Sequence, residues 1–333
     1  MLTHHSLTDI AYLLTHRAGG WVGQHLARAL GPGGLPAQLG ELERRLPPGS
    51  LAHRRFHLVC SVVGDLNGAA ERLEQRVMGQ LRRPERPGTP RKPRGTARAL
   101  SHDDARAALR LVLSRLRAAG VTPFLSFGTL LGAVREGGFM AHDTDIDLGV
   151  FTDEAPPERL RQLFGWGAEL RLALPSLLNA RALPIKLRHR SGASIDLVPF
   201  ERRQDAFITR MMHQNHVLER RRRPFGLRSM QFEGSRVCVP DPPEAFLDEN
   251  YGDWRVRKAN YHCVLSSRMP VPPNDPLVRY LLYAALDDAL ARGALSRARW
   301  LAGEALEHGM QGPAIEALAR PAEEAPSCAS TPR

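Results

Sequence analysis

A chain of 333 residues, 43% hydrophobic, is long enough for one large or two moderate domains with an ample core. No run approaches the roughly 20 apolar residues that a membrane helix needs. The formal net charge is +11, and because the lysines are only Lys92, Lys186 and Lys258, arginine carries nearly all of the basic excess.

A coding bias towards arginine accounts for part of that excess. The remainder suits attraction to anions: a nucleotide diphosphate, an acidic glycan, or the anionic inner face of a membrane. Nucleic acid is disfavoured, because no recognition motif accompanies the charge and aromatics reach only 6%. The first residues lack the basic start and apolar centre of a signal peptide. Cys60, Cys238, Cys263 and Cys328 show neither metal-ligand nor redox spacing. The chain therefore reads as cytoplasmic, with peripheral contact at the inner membrane surface left open.

Residues 1–82 are predicted to be helical. Leu7, Ile10, Leu13, Leu14, Trp21, Leu26 and Leu30 recur at near-helical spacing, and a second pattern runs through Leu58, Val62, Leu66, Leu73 and Val77. RRPERPGTPRKPRGTARA follows. It is Pro-rich, basic and nearly free of apolar residues, so 83–100 reads as a linker or extended arm. A catalytic domain is placed at 101–273. Ser101 with Asp104 resembles a capping box, Leu109, Val112, Leu113 and Leu116 form a helical stripe, and Gly120 ends the helix.

Phe124-Leu125-Ser126-Phe127 reads as a short strand, Gly128-Thr129 as a turn, and Leu130 to Arg135 as a helix broken by Gly137-Gly138. Such a strand, turn and helix start leaves backbone N–H groups and a hydroxyl where a phosphate could sit. Next come Asp143, Asp145 and Asp147 in an apolar run. Unpaired buried carboxylates are costly, so a divalent metal is the simplest partner. On a strand, Asp145 and Asp147 share one side while Ile146, Leu148 and Val150 face the core. Paired hard oxygens suit Mg²⁺ or Mn²⁺. Asp143 is a further candidate ligand, or a loop cap. Ile185 to His189, Ser191-Gly192, and Ser194 to Phe200 read as a hairpin whose Asp196 supplies a third acid. Arg135 and Lys186 are candidate donor-phosphate contacts. Arg220 to Arg223 read as a basic helix end, and His142 as structural. After Pro273 two helices are predicted, one through Leu277, Leu281, Leu282, Leu286 and Leu290, the other through Leu295, Ala298, Leu301, Ala305 and Leu306. They make a C-terminal helical region over 274–320, before a disordered tail over 321–333.

The unbroken order from Gly128 through Arg135, Gly137-Gly138-Phe139, and Asp143-Thr144-Asp145-Ile146-Asp147-Leu148-Gly149 resembles the LicD/fukutin signature. The Asp196 strand and Tyr251-Gly252-Asp253-Trp254 extend the likeness over roughly 101–258. It departs at Glu136, where the family often has His, at His142, where an aromatic is common, and in lacking a Pro after the Tyr-Gly motif. None of these changes removes a candidate ligand. The resemblance implies an α/β (α+β) nucleotidyltransferase-like fold: a mixed sheet flanked by helices, here with added N- and C-terminal helical regions. It implies Asp145, Asp147 and Asp196 as catalytic metal ligands, and Gly128 and Thr129 as phosphate-positioning residues. It also implies transfer of a phosphocholine or polyol phosphate from a CDP-linked donor to a sugar hydroxyl, on a glycan or lipid-linked saccharide. Nucleotidyl transfer from an NTP, metal-dependent glycosyl transfer and a non-catalytic binding module are the alternatives.

Overall fold

The computed structural model describes residues 66–82, 101–164, 168–173, 176, 181–213, 216–258, 260–269 and 271–320. The first predicted helical pattern, the linker, the tail, Cys60 and Cys328 lie outside the described residues.

The chain is a mixed α/β protein whose sheet has nine strands among the described residues. Helix α1 is Leu66–Leu81 and α2 is His102–Ala118. Strand β1, Phe124–Leu125, leads into α3, Phe127–Arg135, then β2, Asp145–Phe151, and α4, Pro157–Phe164. Strands β3 (Leu170–Leu172), β4 (Ile185–His189), β5 (Ser194–Arg202), β6 (Phe207–His213), β7 (His216–Arg222), β8 (Gly226–Phe232) and β9 (Ser235–Asp241) complete the sheet. Helix α5, Pro243–Tyr251, closes it, and α6 (Pro276–Ala291), α7 (Leu295–Glu307) and α8 (Pro313–Ala319) follow.

The sheet order is β3-β4-β5-β2-β1-β9-β8. Parallel pairing joins β2 to β5 and β1 to β9, and the other pairs are antiparallel. Strand β5 is central. It pairs with β2 along its length, with β4 over its first residues, and with β6 over Phe200 to Arg202. The core beneath it is aromatic. Rings of Phe124, Phe151, Phe200, Phe207, Phe225 and Phe246 touch one another, with centroids between 4.9 and 6.4 Å apart. Gly149 admits this packing, since a Cβ there would sit 2.2 Å from the Phe124 ring.

Three local expectations change. Phe127 leaves the strand and opens α3 with φ at 42°. Ser101 stands at the start of α2 without a side-chain cap bond. Arg220 to Arg222 lie in β7 rather than at a helix end. The strand wins because burial alternates there with period two: Leu218, Arg220 and Arg222 are buried, and Val217, Glu219 and Arg221 are exposed.

A second core lies outside the sheet. Helix α1 packs on α6 through Leu66, Leu73, Val77, Leu282, Tyr283 and Leu286. Arg76 pairs with Asp287 at 3.3 Å, Gln80 donates to the same carboxylate at 2.6 Å, and the Tyr283 hydroxyl donates to Glu74 at 2.7 Å. Asp275 caps α6 by accepting from Leu277 N–H at 2.8 Å. The sequence separates α1 from the C-terminal helices, and the structure joins them.

Candidate metal centre

The site follows from register. Strands β2 and β5 run parallel with Asp147 opposite Asp196, and β4 places Lys186 opposite the same Asp196. Asp147, Asp196 and Lys186 thus form one row across three strands. Asp145 precedes Asp147 by two residues and shares its face, while Ile146, Leu148 and Val150 are fully buried on the other. One carboxylate oxygen from each of Asp145, Asp147 and Asp196 lies within 4.8 Å of the others.

Asp147 is held from several directions. Gly128 N–H donates to its Oδ2 at 2.9 Å, its own N–H donates to Thr129 Oγ1 at 2.8 Å, and its carbonyl accepts from Ser126 N–H at 3.2 Å. A Cβ at Gly128 would stand 3.1 Å from that same carboxylate oxygen, so glycine keeps the approach open. Phe127, just before it, adopts a left-handed φ that costs a non-glycine residue energy. Its ring is held against the Arg222 guanidinium, 4.8 Å from the ring centroid, and against Phe246, 5.6 Å away.

Three acids this close repel one another. Burial, then the charges of Asp145 and Asp196, pushes Asp147 well above the usual carboxylate range, against the pull of Gly128 N–H and Lys186. Asp145 is raised by burial and by Asp196. Burial works against the Lys186 ammonium, but Asp196, Asp145 and Asp147 more than offset it and raise its pKa. Lys186 Nζ donates to Asp196 Oδ2 at 2.5 Å, whereas Oδ1 of Asp196 is buried without a hydrogen-bond partner. Hard oxygens, converging acids and an orphaned buried lone pair are what a small divalent cation satisfies. The trio could hold a metal ion.

The other expected residues have definite places. Asp143 lies outside the trio. It accepts from Met140 N–H at 2.9 Å as a loop cap, and burial pushes it up to about 6. Thr129 and the Gly128 N–H are spent on Asp147. Arg135 pairs with Glu136 at 3.0 Å and donates to Trp254 O at 3.3 Å, tying α3 to the Tyr-Gly-Asp-Trp segment. His142 is exposed.

Sequence reading misses the buried polar groups of β7 and α5. Arg222, 1% exposed, donates to Asn250 Oδ1 at 3.1 Å and leaves Nε and Nη1 without partners; burial lowers its pKa to about 10. Arg220 is also buried and donates to Cys263 O at 3.1 Å. Burial drives Tyr251 far up, with Tyr261 and Asp147 adding to it. The run of four arginines hides the alternation of Leu218, Arg220 and Arg222 from sequence reading.

Residues 120–242 match the family model described as LicD/FKTN/FKRP, nucleotidyltransferase domain. None of the curated proteins compared with the chain matches it.

Proposed function

We propose, from the match of residues 120–242 to the LicD/FKTN/FKRP nucleotidyltransferase-domain model, that the protein transfers a phospho-substituent, of phosphocholine or polyol-phosphate type, from a CDP-linked donor to a sugar hydroxyl of a glycan or lipid-linked saccharide. The observation that carries this reading is the convergence of Asp145, Asp147 and Asp196 on one patch beside Lys186.

Asp145, Asp147 and Asp196 would hold Mg²⁺ or Mn²⁺, which when bound supplies positive charge to the donor pyrophosphate. Gly128 and Thr129 fix the Asp147 carboxylate and backbone, so the acids meet the donor preorganised. Lys186 Nζ can turn from Asp196 to a phosphate oxygen. The acceptor oxygen forms a bond to phosphorus, the bond from that phosphorus to the CMP oxygen breaks, and an aspartate takes the hydroxyl proton. Arg135 acts by position, bracing α3 against Trp254. No helix among the described residues is long and apolar enough to cross a membrane.

Isothermal titration of CDP, ATP and UDP-glucose, with and without Mn²⁺, tests the proposal. Metal-dependent CDP binding that disappears in Asp145→Asn is the expected result. A preference for ATP would redirect the reading to nucleotidyl transfer, and one for UDP-glucose to glycosyl transfer. No nucleotide binding at all would overturn it.

A further inference from the structure

The carboxylates lie where β2 and β5 begin. Strand β2 runs antiparallel to β1, and β9 runs parallel to β1 with Cys238 beside Phe124. The start of β9 is therefore at the far end of the sheet from the acids. There, α2 and β9 flank an open surface groove of about 330 Å³ lined by Arg110, Leu113, Ser114, Arg117, Ser235 and Arg236. The four α2 residues fall at i, i+3, i+4 and i+7, on one face of the helix. Leu113 is buried beneath, and the three arginines are exposed around it.

Among the described residues, no carboxylate pairs with the charges in this groove. Among the described residues Arg106 pairs with Glu233 and Asp103, and Arg202, Arg203, Arg210 and Arg221 each pair with a carboxylate. No such pair involves Arg110, Arg117 or Arg236. Glu233, two residues before Ser235, is engaged by Arg106 at 2.6 Å and by Phe139 N–H at 3.1 Å. Arg117 instead donates to the Arg236 carbonyl, and Arg236 Nε donates to Ser229 Oγ at 3.3 Å, so two guanidiniums are anchored with donors to spare. Gathering three like charges costs energy that an anion would offset.

We propose that this groove binds the phosphate or diphosphate group of a small phosphate ester, at a site separate from the three carboxylates. Guanidinium forks and serine hydroxyls match phosphate oxygens. The phosphate source is a phospholipid headgroup or a soluble ester, which share this chemistry.

The test is calorimetric titration of pyrophosphate into the full chain in EDTA, where the three acids repel anions. We expect one site, weakened about tenfold or more by Arg110→Ala and by Arg236→Ala and retained in Lys186→Met. Both arginines are exposed, and metal-dependent CDP binding in Arg110→Ala should match the wild type, which reports an intact fold and keeps this result separate from the proposed reaction. Sedimentation with phosphatidylcholine vesicles doped with phosphatidate separates the sources: Arg110-dependent pelleting assigns a lipid headgroup, and pyrophosphate binding without pelleting assigns a soluble ester. Absence of pyrophosphate binding, or binding indifferent to both substitutions, overturns the proposal.

Discussion

Asp147 is anchored by Gly128 and Thr129 and crowded by two acids, so its substitutions separate folding from chemistry. Asp147→Asn should lower turnover about a hundredfold or more while leaving the metal-free protein at least as stable as wild type, because repulsion is relieved. Steady-state rates and urea melts check both halves. The pH dependence has a definite sign. Native Asp145 and Asp147 hold protons above the ordinary value of 3.8, where the unfolded chain has released them. Metal-free stability from this source is therefore present below about pH 4 and is lost as pH rises through the raised native values. Saturating Mn²⁺ should reverse the loss, adding about 2.7 kcal/mol at a hundredfold excess over Kd; melts in EDTA and in Mn²⁺ across that window measure it. At this scale the sequence was most legible for the trio, because alternation with Ile146, Leu148 and Val150 fixes which side the acids take. It was least legible for Gly128 and Thr129, whose groups serve Asp147, a contact that depends on how α3 folds back onto β2.

Strand β7 and helix α5 together hold the α3 turn. Arg222 lies beside Phe127 and Phe246, so its truncation leaves a void where its replacement by a similar volume does not. Arg222→Ala should cost about 3 kcal/mol or more, and Arg222→Met less than about 2 kcal/mol, in chemical denaturation. The segment after α5 carries a second titration. His262 is buried with Nδ1 accepting from Leu265 N–H at 3.2 Å, and burial lowers its pKa to about 4. A depressed histidine favours the fold above its unfolded value near 6.5 and loses that contribution as pH falls towards 4. Over that span wild type should lose on the order of 3 kcal/mol relative to His262→Asn, read from paired denaturation curves. The β4–β5 hairpin was visible in sequence through its alternation and its Ser191-Gly192 turn. Strand β7 was not, because four consecutive arginines mask a period-two pattern that only burial on the finished sheet exposes.

Over the whole molecule, two apolar clusters divide the chain, and the second draws on both ends of it. Leu73 on α1 is 1% exposed within that cluster, so Leu73→Ala should destabilise the helical part by about 2–4 kcal/mol. A melt monitored at α6–α8, compared with metal affinity at the sheet, will show whether the loss stays local. Leucine spacing announces α6 and α7, but nothing local announces that Glu74, Arg76 and Gln80 reach Tyr283 and Asp287, more than two hundred residues away.

That closure bears on how the chain is made. A ribosome releases α1 early and begins α6 only 195 residues after Leu81, a delay of roughly 10–40 s at ordinary elongation rates. All nine strands emerge in between, so the sheet with its carboxylates can close while the apolar stripe of α1 still waits for its partner. For that interval the nascent protein offers Leu66, Leu73 and Val77 to whatever holds unfolded chains, and release from that hold is coupled to completion of the C-terminus.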